Sequence, residues 1–208
     1  MDNIKKFIKK TIGNINKIGL KNKDFTIISN NCWGGFVYQK FNLEYRTPFI
    51  GLFLYAPDYI ELLENFDELI SKELEFIGAD KSKYKSDLIK NGTFNKYPIG
   101  ILGDNVEIHF LHYHSIEEAI TKWNKRLSRI NRDNMLVKFS DRDLCTDDLI
   151  YRFDRLKFKN KICFASKEFE ENKSVITFKE FLGKECVENE WEYYSNYIDI
   201  KKMLNSLT

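Results

Sequence analysis

The chain has 208 residues, 43% of them hydrophobic and 31% charged, with a formal net charge of +2. This balance excludes a disordered chain and an integral membrane protein, and it supplies no overall basic field for nucleic acid. No apolar run approaches the length of a bilayer span, so no integral membrane segment is expected. The lysines of the opening MDNIKKFIKKTIGNINKIGL interrupt its apolar residues, leaving no signal-peptide core, and a cytoplasmic location is expected. The cysteines, Cys32, Cys145, Cys163 and Cys186, contain no C-x-x-C pair and no short spacing. Neither structural zinc nor a disulfide framework is expected, and no cofactor can be named.

Ile4, Phe7, Ile8, Ile12, Ile15 and Ile18 recur at spacings of three and four, predicting an amphipathic helix within residues 1–20 whose other face is lysine-rich. It is expected to pack on the domain edge, although such a helix can also lie on a membrane surface. Phe25, Thr26, Ile27 and Ile28 form a short apolar run suited to a buried parallel strand. The polar turn Ser29-Asn30-Asn31-Cys32 follows, and a helix is expected over 34–42. Residues 48–54 (PFIGLFL) read as a second buried strand. Asp58-Tyr-Ile-Glu61 then matches a capping box opening the next helix.

Residues 78–100, rich in Lys, Asn and Gly, read as an excursion over the surface. Val106–His112 is expected to be a strand, and Ser115-Ile-Glu-Glu118 a second capping box. The helix it opens carries Ile116, Ala119, Ile120, Trp123, Leu127 and Ile130 on one stripe, and Lys122, Lys125, Arg126, Arg129 and Arg132 on a solvated face. A strand at 135–139, a helix at 147–156 and a strand at 161–165 follow, and the tail is expected to end in a helix to about Leu207.

Strands alternating with helices imply parallel pairing, because parallel neighbours need crossover connections. The expected fold is a three-layer, Rossmann-like α/β sandwich, with a mostly parallel sheet and helices on both faces. A single domain over 1–208 is expected, with a core at 21–170 and a C-terminal extension at 171–208.

Open parallel sheets bind ligands beyond the carboxyl ends of their strands. On this topology the edge carries Ser29, Asn30, Asn31 and Cys32, then His112 and His114, then Asp141, Arg142 and Asp143. Cys32 at a helix start is a candidate nucleophile with His112 as acid or base, and packing is the competing role for the thiol. Ser29, Asn30, Asn31, His114, Asp141, Arg142 and Asp143 are candidate ligand contacts, Arg142 for a phosphate or carboxylate. His109, mid-strand, is assigned to the core. His112, His114, Asp141 and Asp143 lack a clear further ligand, so a metal is not expected.

Ile-Ser-Asn-Asn-Cys-Trp-Gly-Gly (28–35), Tyr-Pro-Ile-Gly (97–100), Ile-His-Phe-Leu-His-Tyr (108–113), Lys-Trp-Asn-Lys-Arg (122–126), Arg-Ile-Asn (129–131) and Asp-Arg-Asp (141–143) together resemble a bacterial domain family of unknown function. Its members are often labelled exopolysaccharide biosynthesis proteins. Ser29–Cys32 is also similar to the Gly-Asn-Cys opening of a polysaccharide acetyltransferase family, but Asn30 replaces the Gly and no Gln follows the Cys. These resemblances imply a transferase of an acyl or glycosyl-type group in surface-polysaccharide assembly. The alternatives are a noncatalytic saccharide or sugar-nucleotide binding module and an interaction scaffold. A small-molecule or saccharide partner is expected, and the sequence does not give the oligomeric state.

Overall fold

A computed structural model describes residues 2–207; for Asp2, Asn3 and Lys6 only the backbone is described, and Met1 and Thr208, the ends of the expected 1–208 domain, lie outside the described residues. In chain order the elements are α1 (Asp2–Asn16), β1 (Thr26–Ser29), α2 (Trp33–Lys40), α3 (Ala56–Glu64), α4 (Phe66–Leu69), β2 (Leu74–Ile77), α5 (Lys85–Lys90), β3 (Ile99–Leu102) and β4 (Val106–His109). They continue with α6 (Ile116–Leu127), β5 (Met135–Ser140), α7 (Asp147–Arg155), β6 (Lys161–Ala165), β7 (Val175–Thr177), α8 (Glu190–Tyr193) and α9 (Ile200–Asn205).

The fold is a mixed α/β structure built on two sheets. The larger has four parallel strands in the order β1-β5-β6-β7. The smaller has three antiparallel strands in the order β2-β3-β4. The expectation of one mostly parallel, Rossmann-like sheet is therefore corrected. The long segment between β1 and β5 carries a second sheet of its own, and the strand expected at 106–112 belongs to it. The excursion expected at 78–100 holds α5 and the start of β3.

Residues 48–54 form no strand. Gly51 turns through a left-handed φ of 71°. Only Phe53 makes an isolated antiparallel bridge, to His109. An apolar run alone does not distinguish a strand from buried loop, and here the turn ends the pairing.

The parallel strands alternate as the pleat requires. Ile27, Leu136, Ile162 and Phe164 join a cluster with Trp33, Val37 and Tyr38 of α2 and with Tyr194, Ile200 and Leu204 of the C-terminal segment. Ile28, Val137, Phe139 and Cys163 join one with Tyr59, Ile60 and Leu63 of α3, Leu149, Ile150 and Phe153 of α7, and Leu102, Val106 and Ile108 of the small sheet. Both sheets thus share that second cluster. Ser115 and Thr146 cap α6 and α7, their hydroxyls accepting from the N–H groups of Glu118 and Leu149.

Candidate functional site

The carboxyl ends of β1, β5 and β6 are brought together by pairing in register, which sets Ser29 beside Lys138 and Ser140 beside Phe164. After β1, the Asn31 carboxamide oxygen accepts from the Trp33 N–H at 3.1 Å, turning the chain into α2. Its amide donates to Ser140 Oγ at 3.1 Å and to Glu190 Oε1 at 2.9 Å. The Ser29 hydroxyl donates to Asn31 at 3.2 Å, and Ser140 Oγ lies 3.4 Å from Asn30 Oδ1. Ser29, Asn30 and Asn31 are buried, so their roles within the fold are visible as internal hydrogen bonds.

Beneath this loop lies an ion pair that sequence reasoning missed. Lys138, in the middle of β5, pairs with Glu190 of α8, and both side chains are 0% exposed. The lysine also donates to Ser140 Oγ at 2.8 Å. Burial pushes the Lys138 ammonium down and Glu190 acts to raise it. One signal was present: a lone lysine inside the apolar strand Met-Leu-Val-Lys-Phe-Ser must find a partner if buried. Nothing in the tail singled out Glu190.

Cys32 sits at the start of α2 without a side-chain cap bond. Burial pushes its thiol up; Arg142 and Lys138 pull it down and Glu190 adds to the rise. Burial is the largest influence, which opposes thiolate formation.

Asp141, Arg142 and Asp143 divide between structure and surface. Asp141 is buried, accepting from the Ser166 N–H at 2.6 Å, the Ser166 hydroxyl at 2.8 Å and the Val187 N–H at 2.8 Å. Arg142 and Asp143 form an ion pair at 3.0 Å with side-chain exposures of 31% and 21%. Burial raises the Asp143 carboxyl, against the pull of Arg142. Asp143 and Leu144 both hold left-handed backbone, with φ of 58° and 66°. Two such residues in succession, neither of them glycine, are costly and mark a place the surrounding structure overdetermines.

The segment between β1 and β5 joins this edge through residues 54–56. The Leu54 N–H donates to the Asn30 carbonyl at 2.9 Å, and the Ala56 N–H to the Asp143 carbonyl at 2.8 Å. Burial raises the hydroxyls of Tyr55 and Tyr97, and Asp143 adds to the rise at both. Those rings belong to an aromatic wall. His109 stacks on Phe53 with centroids 4.8 Å apart and meets Tyr55 at 5.1 Å and Tyr97 at 5.8 Å. His109 is fully buried, with no hydrogen-bond partner at either ring nitrogen among the described residues. Burial lowers its pKa to about 3, assisted by Lys83, so the 3.6 Å approach of Glu107 is not an ion pair near neutral pH.

The histidines expected beside Cys32 do not follow a parallel strand, which corrects the reasoning that placed them on that edge. β4 ends at His109, and a turn follows. His112 and His114 are exposed. The His112 N–H donates to the Gly51 carbonyl at 2.9 Å. The His114 N–H donates to Glu118 at 3.0 Å, completing the capping arrangement of α6. Neither histidine figures among the charges acting on Cys32, which come from β5, its following loop and α8. Among the described residues, no three His, Cys, Asp or Glu side chains are grouped to hold a metal ion.

The comparisons with known proteins place the chain. The family described as Domain of unknown function (DUF1919) matches residues 3–207. The chain belongs to that family. It is also 36% identical over 174 residues to an uncharacterized protein of Haemophilus influenzae, covering 84% of this chain and 77% of that one. The DUF1919 match takes in both sheets and the C-terminal segment that supplies Glu190. In the DUF1919 chain described here, among the described residues, no helix is long and apolar enough to cross a membrane.

Proposed function

We propose that the carboxyl edge of the parallel sheet binds a nucleotide-activated or phosphorylated sugar and acts on it as a transferase in surface-polysaccharide assembly. One observation carries the reading: the partly exposed Arg142–Asp143 pair, with Asp143 on left-handed backbone, stands beside the partly exposed rings of Phe53 and Tyr97, which the buried Tyr55 backs. A guanidinium suits a phosphate, and aromatic rings suit the apolar face of a sugar. Asp143 stands in for the histidine base. A carboxyl raised by burial is a better match to proton transfer near neutral pH than one left in water. In this chemistry an acceptor hydroxyl gives its proton to Asp143 while its oxygen attacks the sugar's anomeric carbon. The phosphate leaves with the bond electrons toward Arg142. Cys32 is given a lining rather than a nucleophilic role, since burial raises its thiol.

Binding of UDP-glucose and UDP-N-acetylglucosamine by calorimetry, with product detection alongside, tests this. Arg142→Ala should weaken binding by tenfold or more, in line with loss of a charge-assisted hydrogen bond. Asp143→Asn keeps a residue that tolerates left-handed backbone, so it should retain binding and lose about 10²-fold or more in turnover. Unchanged binding in Arg142→Ala would remove the site. Unchanged turnover in Asp143→Asn would remove Asp143 as the base, and binding without product would identify a saccharide-binding module.

A further inference from the structure

The polar side of α1 docks on the protein and its apolar side faces out. Gly13 is buried, and a Cβ there would come within 2.7 Å of Asn42 Cβ, so the helix approaches the chain after α2 too closely for a side chain. Asn16 donates to the Lys40 carbonyl at 3.1 Å, and Asn42 donates to Asn14 at 2.8 Å. On the other side Ile4, Phe7, Ile8, Ile12 and Ile15 are 66%, 71%, 49%, 52% and 60% exposed. The amphipathic pattern is thus real but inverted with respect to the core. A stripe of this size left in water marks an interaction surface.

The charge around the stripe selects the partner. Lys5, Lys9 and Lys10 are exposed on the same helix, with no acidic partner among the described residues. Alongside runs a groove of about 780 Å³, lined by Lys9, Lys10, Lys40, Lys125 and Arg126 and bordered by Ile12. Ile12 therefore belongs to both the apolar stripe and the basic groove. A second copy of this chain would set these lysines against one another, whereas an anionic bilayer supplies hydrocarbon for the stripe and phosphate headgroups for the groove.

We infer that α1 is an interfacial anchor, lying in the plane of an anionic phospholipid surface with Phe7, Ile8 and Ile15 among the acyl chains. The attachment is reversible, because a single helix of this kind gains only its buried apolar area and the headgroup attraction.

Vesicle flotation of the full chain tests it, using phosphatidylcholine vesicles with and without about one third phosphatidylglycerol. The protein should float with the anionic vesicles and at least tenfold less with phosphatidylcholine alone. Raising salt from about 0.1 M to about 0.5 M should release it. Phe7→Glu/Ile15→Glu changes only exposed positions and should abolish flotation while leaving the melting transition in place. Lys9→Glu/Lys10→Glu should weaken flotation at low salt. Failure to float with anionic vesicles, or flotation indifferent to both double variants, would overturn the inference. So would a dimer in sedimentation that dissociates in Phe7→Glu/Ile15→Glu without any vesicle binding, which would assign the stripe to a second copy.

Discussion

Lys138 and Glu190 lie 52 residues apart in sequence and pair where neither side chain meets solvent. The contact ties the inner strand β5 to α8, and Asn31 and Ser140 supply further hydrogen bonds to it. Removing one charge leaves the other buried and uncompensated. Glu190→Gln should cost about 3–5 kcal/mol in urea unfolding, and Lys138→Met a similar amount. The double variant Lys138→Met/Glu190→Gln should recover a large part of the loss, and simple addition of the two costs would refute the coupling.

Asp141 fixes the geometry of the neighbouring loop. Its carboxylate accepts from two groups of Ser166 and from the Val187 N–H, so Asp141→Ala strands buried donors on two segments. A loss of about 2–4 kcal/mol is expected, with faster amide exchange at Val187. Unchanged exchange at that amide would show that the hydrogen bond contributes nothing.

His109 makes the fold sensitive to acid in a defined direction. Its folded pKa is lowered to about 3 from 6.5, so the unfolded chain binds a proton first as pH falls. Stability conferred by keeping the ring neutral is full above about 6.5 and is lost progressively toward about 3. Asp58 and Asp143 are raised and act in the opposite sense above the ordinary carboxylate range, so the comparison should be made against a variant. His109→Leu should show a shallower fall in stability between pH 6.5 and pH 4 than the unaltered chain, and parallel curves would reject the assignment.

Leu144 holds φ at 66° and is 47% exposed. Leu144→Gly relieves the left-handed strain and should stabilise by about 0.5–1 kcal/mol after the entropy cost of glycine. Leu144→Ile should destabilise by about 1 kcal/mol or more, because branching at Cβ makes the conformation worse. Thermal melts of the two variants moving in the same direction would contradict this.

Much of the parallel sheet was legible because its strands are short, apolar and bounded by clear caps. The strand expected at 161–165 is β6, the expected cap Ser115 opens α6, and of Thr146 and Asp147, the two residues placed to cap the helix expected at 147–156, Thr146 opens α7. What failed was pairing. Val106–His109 reads the same whether its neighbour runs parallel or antiparallel, and the polar 78–100 stretch concealed the neighbour, β3, that decides it. The site was legible where residues are adjacent in sequence, as at Arg142 and Asp143. It was hidden where the fold assembles it from a distance, as with Tyr97 and Glu190.

β1 and β5 are hydrogen-bonded neighbours, yet residues 30–134 separate them, while β5, β6 and β7 follow one another closely. Closing so long a loop costs entropy before any ladder bond forms. The order of assembly expected from this is that β5, α7 and β6 form the nucleus and β1 docks last. Mutations in β6 should slow folding, whereas mutations in β1 should chiefly speed unfolding.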